Sequence, residues 1–160
     1  MPYTAIDNVV IEQGIHDIEP IAAHPMGRIV VATDGLYGVG EFVYLRGVAS
    51  TVIGDLVIFD QSTGNTTRAV AGSRGPCAVA MSACVALQFG WYQISGAAIV
   101  RTNTAVNNAS PYVTAGAGLI DDAVVATDKI DGARYKTADG SPAAGFAILQ
   151  LARPALNGNG

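Results

Sequence analysis

Short apolar runs recur along this chain, each closed by glycine, proline, asparagine or aspartate, and most alternate between two faces. That pattern predicts strands joined by tight turns rather than long helices. The most strongly patterned stretch is residues 75–101, GPCAVAMSACVALQFGWYQISGAAIVR, read as an apolar strand, a short crossing, a strand with the only tryptophan, and a further strand. Extended chain alternates with a period of two, so Trp91, Gln93 and Ser95 share one face and Tyr92 and Ile94 the other. Ser82 predicts a cap for one helical turn reaching Leu87. Gly96 predicts a bulge or turn between GWYQIS and AAIVR.

The other runs fit the same plan. RIVVAT, residues 28–33, ends at the Asp34-Gly35 turn, and in EFVYLRG Phe42 and Tyr44 oppose Val43 and Leu45, so both faces call for burial. LVIFD is apolar on both faces, which suits a sheet interior on one side and a subunit contact on the other. Beyond the polar loop 61–66, TRAVA, CAVAM and YVTA read as strands, LIDDAVV is open between strand and helical turn, and GFAILQLAR closes the sheet. Residues 127–145 read as an exposed excursion. The expected fold class is mainly β: a single sandwich, jelly-roll or barrel-like domain over residues 28–153. Residues 1–27 form an extended N-terminal arm, in which Val9 and Ile11 belong to a possible edge strand, VVIEQG. Residues 154–160 form a C-terminal tail that frays unless a neighbour holds it.

Composition narrows the function more than the fold. Of the 160 residues, 50% are hydrophobic and only 14% charged, well under the roughly 25% charged of an ordinary soluble domain. Partners are therefore expected to cover part of the surface. A net charge of −4 supplies no basic stripe for a phosphate backbone, so nucleic acid is not an expected partner. No apolar run approaches the length of a membrane-spanning helix, and MPYTAIDNVV lacks the features of a signal peptide, so the expected place of synthesis is a cytoplasm without membrane insertion.

Candidate chemistry is sparse. Cys77 and Cys84 lack zinc-ligand spacing and read as small buried hydrophobes or a hairpin disulfide. The GSRGP loop, residues 72–76, lacks the lysine and the hydroxyl residue after it that close a phosphate-binding loop. Asp121 and Asp122 point to opposite faces if extended, a poor acid–base pair; with Asp128 or Asp131 they offer calcium ligands but no EF-hand spacing. His16, Asp17, Glu19 and His24 fit no helix-borne or finger motif. A hydrolase would have to use His16 or His24 with Asp17, whereas Trp91 and Tyr92 offer rings for stacking a sugar.

The ordered series GVGEFVYLRGVAST, GDLVIFD, TTRAVAG, GPCAVAMSA, FGWYQISGAAIV and DGARYKTADGSPAAGFAILQL resembles the small head proteins of tailed bacteriophages. These are the cement or decoration proteins that bind the capsid exterior. The resemblance implies a mostly β protein with no reaction and no cofactor or metal, located on the virion and made in the bacterial cytoplasm. It implies contact with the major capsid protein and with further copies of itself, as a homodimer or homotrimer. The interface residues expected on this reading are Phe42, Tyr44, Trp91 and Tyr92, with Val9 and Ile11 in the arm. The alternative is a phage surface or fibre module that binds glycans.

Overall fold

The computed structural model describes residues 3–5 and 12–158. The described residues form strands and irregular chain without helix: β1 (Thr4–Ala5), β2 (Ile29–Asp34), β3 (Gly38–Arg46), β4 (Leu56–Phe59), β5 (Thr66–Arg68), β6 (Gly75–Ala80), β7 (Phe89–Arg101), β8 (Tyr112–Val113), β9 (Ile120–Asp121), β10 (Asp131–Tyr135) and β11 (Phe146–Leu156). The fold is mainly β, as the alternation predicts. Its main sheet is antiparallel, runs β1-β2-β3-β7-β11-β6-β4-β5 with β10 on β11, and curls into a half-barrel. β6 pairs with both β11 and β7, so these three strands close a circuit of backbone pairing.

β7 holds this arrangement together because it pairs with β3 along its first half and with β11 along its second, with β6 beside Tyr92 and Gln93. Residues 89–95 pair with β3 and residues 95–101 with β11. Between the two, Phe42 faces Gln93 and Glu41 faces Ser95, leaving Ile94 as the extra residue of a bulge. Bulges bend and twist a strand. Gly96 follows with φ +95°, and a Cβ there would stand 2.5 Å from the Val39 carbonyl oxygen, so glycine is required both by its dihedral and by the close approach of β3.

Three apolar clusters result. Trp91 joins Phe42, Tyr44, Val30, Ala32, Ile15 and Met81 on one side of β3 and β7. Tyr92 and Ile94 join Val43, Leu45, Val57, Ala78, Ala80 and Cys84 on the other. Past the bulge, Ala98 and Val100 enter a third cluster with Leu56, Val79, Ile130, Tyr135 and Leu149. Large apolar side chains buried this way stabilise the fold by about 1.5–3 kcal/mol each relative to exposure.

Several expectations change. No helical turn forms after Ser82, where the chain bends and turns, and Leu87 takes φ 65°. Instead of a serine cap, Gln88 Oε1 accepts from the Val85 amide. Of the bulge or turn expected at Gly96, a bulge forms, two residues earlier at Ile94, and the strand continues through it. LIDDAVV resolves into the short β9 and a bend, and β10 forms inside residues 127–145, burying Ile130 and Tyr135. β11 runs past Pro154, where Ala155 and Leu156 pair with Pro76 and Gly75, so residues 154–156 belong to the sheet rather than a tail. Near the N-terminus, β1 pairs with β2, and Gln13, Ile15 and His24 are buried, so this described part of the arm completes its own subunit's core.

Candidate functional site

The expected interface aromatics lie inside the subunit. Phe42, Tyr44, Trp91 and Tyr92 have no exposed surface, and a side chain without exposed area has none to offer a partner. The reason is that both faces of β3 and β7 are covered, one by the N-terminal segment and the other by β4 and β6. Val9 and Ile11 lie outside the described residues.

Around Trp91 the rings are locked by polar contacts. Tyr44 meets Trp91 edge-on at 5.0 Å between centroids, and the His24 ring lies 5.2 Å from Tyr44 and 5.3 Å from Trp91. Gln13 is the clamp. Its Oε1 accepts from the Tyr44 hydroxyl at 2.5 Å, its Nε2 donates to the Asp17 and Phe89 carbonyls at 2.8 Å, and its carbonyl accepts from Trp91 Nε1 at 2.9 Å. The Ala23 amide donates to the Tyr44 oxygen. Burial pushes the Tyr44 phenol up, and burial followed by nearby Arg28 pushes the His24 imidazole down. Gln13 escaped sequence reasoning because a lone glutamine carries no spacing signal.

The remaining chemistry-bearing residues are engaged structurally. His16 Nδ1 meets the Met81 carbonyl, His24 Nδ1 meets Arg28, and the Asp17 carboxylate accepts from the Gly14 amide. In the glycine loop, the Gly72 amide donates to Asp128 Oδ1, which also receives Arg74. An internal carboxylate thus occupies an amide otherwise open to an anion. Asp121 accepts from the Ala123 amide and Asp122 from the Thr104 hydroxyl. Cys77 and Cys84 are free and buried, and burial pushes the Cys77 thiol up to about 12. Among the described residues no group of three or more His, Cys, Asp or Glu side chains gathers as a metal site, and no helix is long and apolar enough to cross a membrane.

What the sequence did not single out is an apolar cavity of about 280 Å³ between the β2–β3 turn, the loop before β4 and the loop before β11. Tyr37, Ile53, Ile99, Pro142 and Phe146 contribute apolar lining, and Gln93 and His16 contribute polar groups. Nearby in sequence stand exposed apolar side chains: Leu36 at 73% and Val39 at 56% beside Tyr37, and Val52 at 39% beside Ile53, itself 52% exposed. Local hydrogen bonds hold these residues outward. Asp34 Oδ1 accepts from the Leu36 and Tyr37 amides at 2.7 and 3.1 Å, fixing the turn. Asp55, wholly buried, accepts from the Val52 amide and pairs with Arg68 and Arg101, fixing the other loop. The arrangement has no nucleophile paired with a base; it can receive an apolar group. No protein-family model, curated protein or solved structure matches this chain.

Proposed function

We propose that this chain is a non-enzymatic structural protein of a bacteriophage head, a cement or decoration protein. On this reading it binds the outer surface of the assembled shell, bridges neighbouring major capsid protein subunits, and acts as a homodimer or homotrimer. The observation that carries the reading is the cavity beside exposed Leu36, Val39, Val52 and Ile53, on a chain that is only 14% charged. Apolar surface held outward by a rigid turn and a charge-pinned loop suits a docking face. The glycan-binding alternative loses its stacking platform at Trp91 and Tyr92, since neither ring is exposed.

The mechanism is linkage. A protein that binds only the expanded lattice stabilises that state by about 2.7 kcal/mol per site when its free concentration is a hundredfold above Kd. Contacts spanning several subunits add avidity without requiring any single contact to be strong. The test is to add purified protein to stripped, expanded heads and measure occupancy together with resistance to heat. Saturable binding with a raised disruption temperature supports the reading, and its loss in a folded Leu36→Asp, Ile53→Asp variant places the face. Absence of saturable binding would end it.

A further inference from the structure

The start of β7 carries a second apolar surface. Phe89 pairs with Arg46 of β3 on one side, and on the other its amide and carbonyl both bond Glu19, at 2.9 and 3.2 Å. Residues directly opposite one another across paired strands share a face, so Glu19, Phe89 and Arg46 form one row. Its two charged positions stand about 10 Å apart, at two strand spacings. Glu19 and Arg46 are exposed, and Phe89 between them is half-buried against the Trp91 cluster. An antiparallel bridge at Glu19 and Phe89 sends Ile21 and Leu87 off the same end side by side, and these two are 80% and 69% exposed. Leu87 holds its place at φ 65°, a conformation that costs a bulky side chain energy. Phe89 and Ala97, which lines the cavity, are separated by roughly 26 Å of extended chain, so the two apolar surfaces are distinct. Among the described residues no hydrogen bond or ion pair engages the side chain of Glu19 or Arg46, whereas Arg68, Arg74, Arg101 and Arg153 each pair with a carboxylate.

We propose that this surface is the contact between two copies of the chain related by a two-fold axis. A two-fold operation lays one patch on itself, so that each residue meets its complement twice. Glu19 and Arg46 flank Phe89 at opposite ends of one row. An axis through the middle of that row brings Glu19 of each copy to Arg46 of the other, with Ile21, Leu87 and Phe89 enclosed between the two pairs. Each copy carries a net charge of −4, so copies repel at a distance and meet best where a patch offers both signs around an uncharged centre. The inference rests on the reading above that copies associate; it selects the dimer over the trimer and names the surface.

The test follows the full chain by sedimentation equilibrium from micromolar to millimolar concentration, where a dimer is expected. Leu87→Asn removes the apolar side chain and places at φ 65° a residue that tolerates it. It is expected to weaken the dimer at least about tenfold without lowering the thermal stability of the monomer; should it fail to fold, the charge reversals carry the test. Glu19→Arg and Arg46→Glu each set like charges against one another and yield monomers. Mixed in equal amounts, they re-form a dimer with one copy of each, because both contacts regain opposite signs. A ring of three cannot alternate the two variants and regain every contact. The Leu36→Asp, Ile53→Asp variant, altered on the cavity face, stays dimeric. A monomeric or trimeric unsubstituted chain, a dimer indifferent to Leu87→Asn, or charge reversals without effect or without rescue on mixing overturns the inference. A dimer that fails to bind expanded heads defeats the capsid reading alone, whereas a monomer that binds them saturably defeats the dimer alone.

Discussion

Replacing Gln13 with alanine tests whether the N-terminal segment is part of the folded core. The substitution takes the acceptor from the Tyr44 hydroxyl and the donor from the Phe89 and Asp17 carbonyls. Tyr44 is wholly buried, so its hydroxyl loses an acceptor away from water, at about 1–3 kcal/mol. Two weakened carbonyl contacts and a small void bring the expected loss to roughly 3 kcal/mol. Against a total stability of about 5–15 kcal/mol that is a large share. It lowers Tm by roughly 6–12 °C, at about 2–4 °C per kcal/mol for a chain of this size. Urea titration followed by Trp91 fluorescence reads the change beside the clamp itself. Tyr44→Phe, alone and combined with Gln13→Ala, completes a double-mutant cycle with an expected coupling of about 1 kcal/mol. A Gln13→Ala loss under about 0.5 kcal/mol, or zero coupling, would refute the clamp and restore a loosely attached arm.

Three further outcomes follow from other parts of the fold. Asp55→Ala, which leaves Arg68 and Arg101 without their buried carboxylate, is expected to cost about 3–5 kcal/mol in denaturant titration; a neutral result would mean that water replaces the carboxylate freely. Gly96→Ala, at φ +95° with a backbone oxygen 2.5 Å from the new Cβ, should cost about 3 kcal/mol or more, whereas Gly140→Ala, at φ +88° in open space, should cost about 1–2 kcal/mol; equal costs would show that the bulge tolerates a side chain. The His24 imidazole is pushed below its ordinary 6.5 by burial and by Arg28. The unfolded chain therefore binds the proton first, and stability falls as pH drops through about 6.5 toward the lower folded value. Thermal melts from pH 7.5 to 5 should show that fall flattened in His24→Phe, and an identical slope would assign it to other groups.

The strands were legible because alternation is a local property: β2, β3, β4, β6 and β11 all lie where apolar periodicity places them. Residues 42–45 announced burial on both faces and received it. What the pattern could not state is which layer covers a face. An aromatic face looks the same whether its cover is a neighbouring subunit or the chain's own residues 13–24. Trp91 and Tyr44 were consequently expected at an interface and are instead sealed by Gln13, Ile15 and His24. β10 hid in a charged stretch because Asp131–Tyr135 is paired along β11 with exposed and half-exposed positions alternating before buried Tyr135. The cavity was illegible because it joins residues as distant as Tyr37, Ile53 and Pro142, and only the closed circuit of β6, β7 and β11 and the loops around it bring them together. Ser82 failed as a cap because no helix follows it, and its hydroxyl is buried without a partner.

The capsid reading is tested most directly by a cryo-EM map of purified phage heads to which this chain has been added. The account predicts density for the half-barrel on the outside of the shell, seated across boundaries between major capsid protein subunits, with the face bearing Leu36, Ile53 and Phe146 covered. Particles whose outer surface lacks this density, or in which that face stands uncovered, would contradict it.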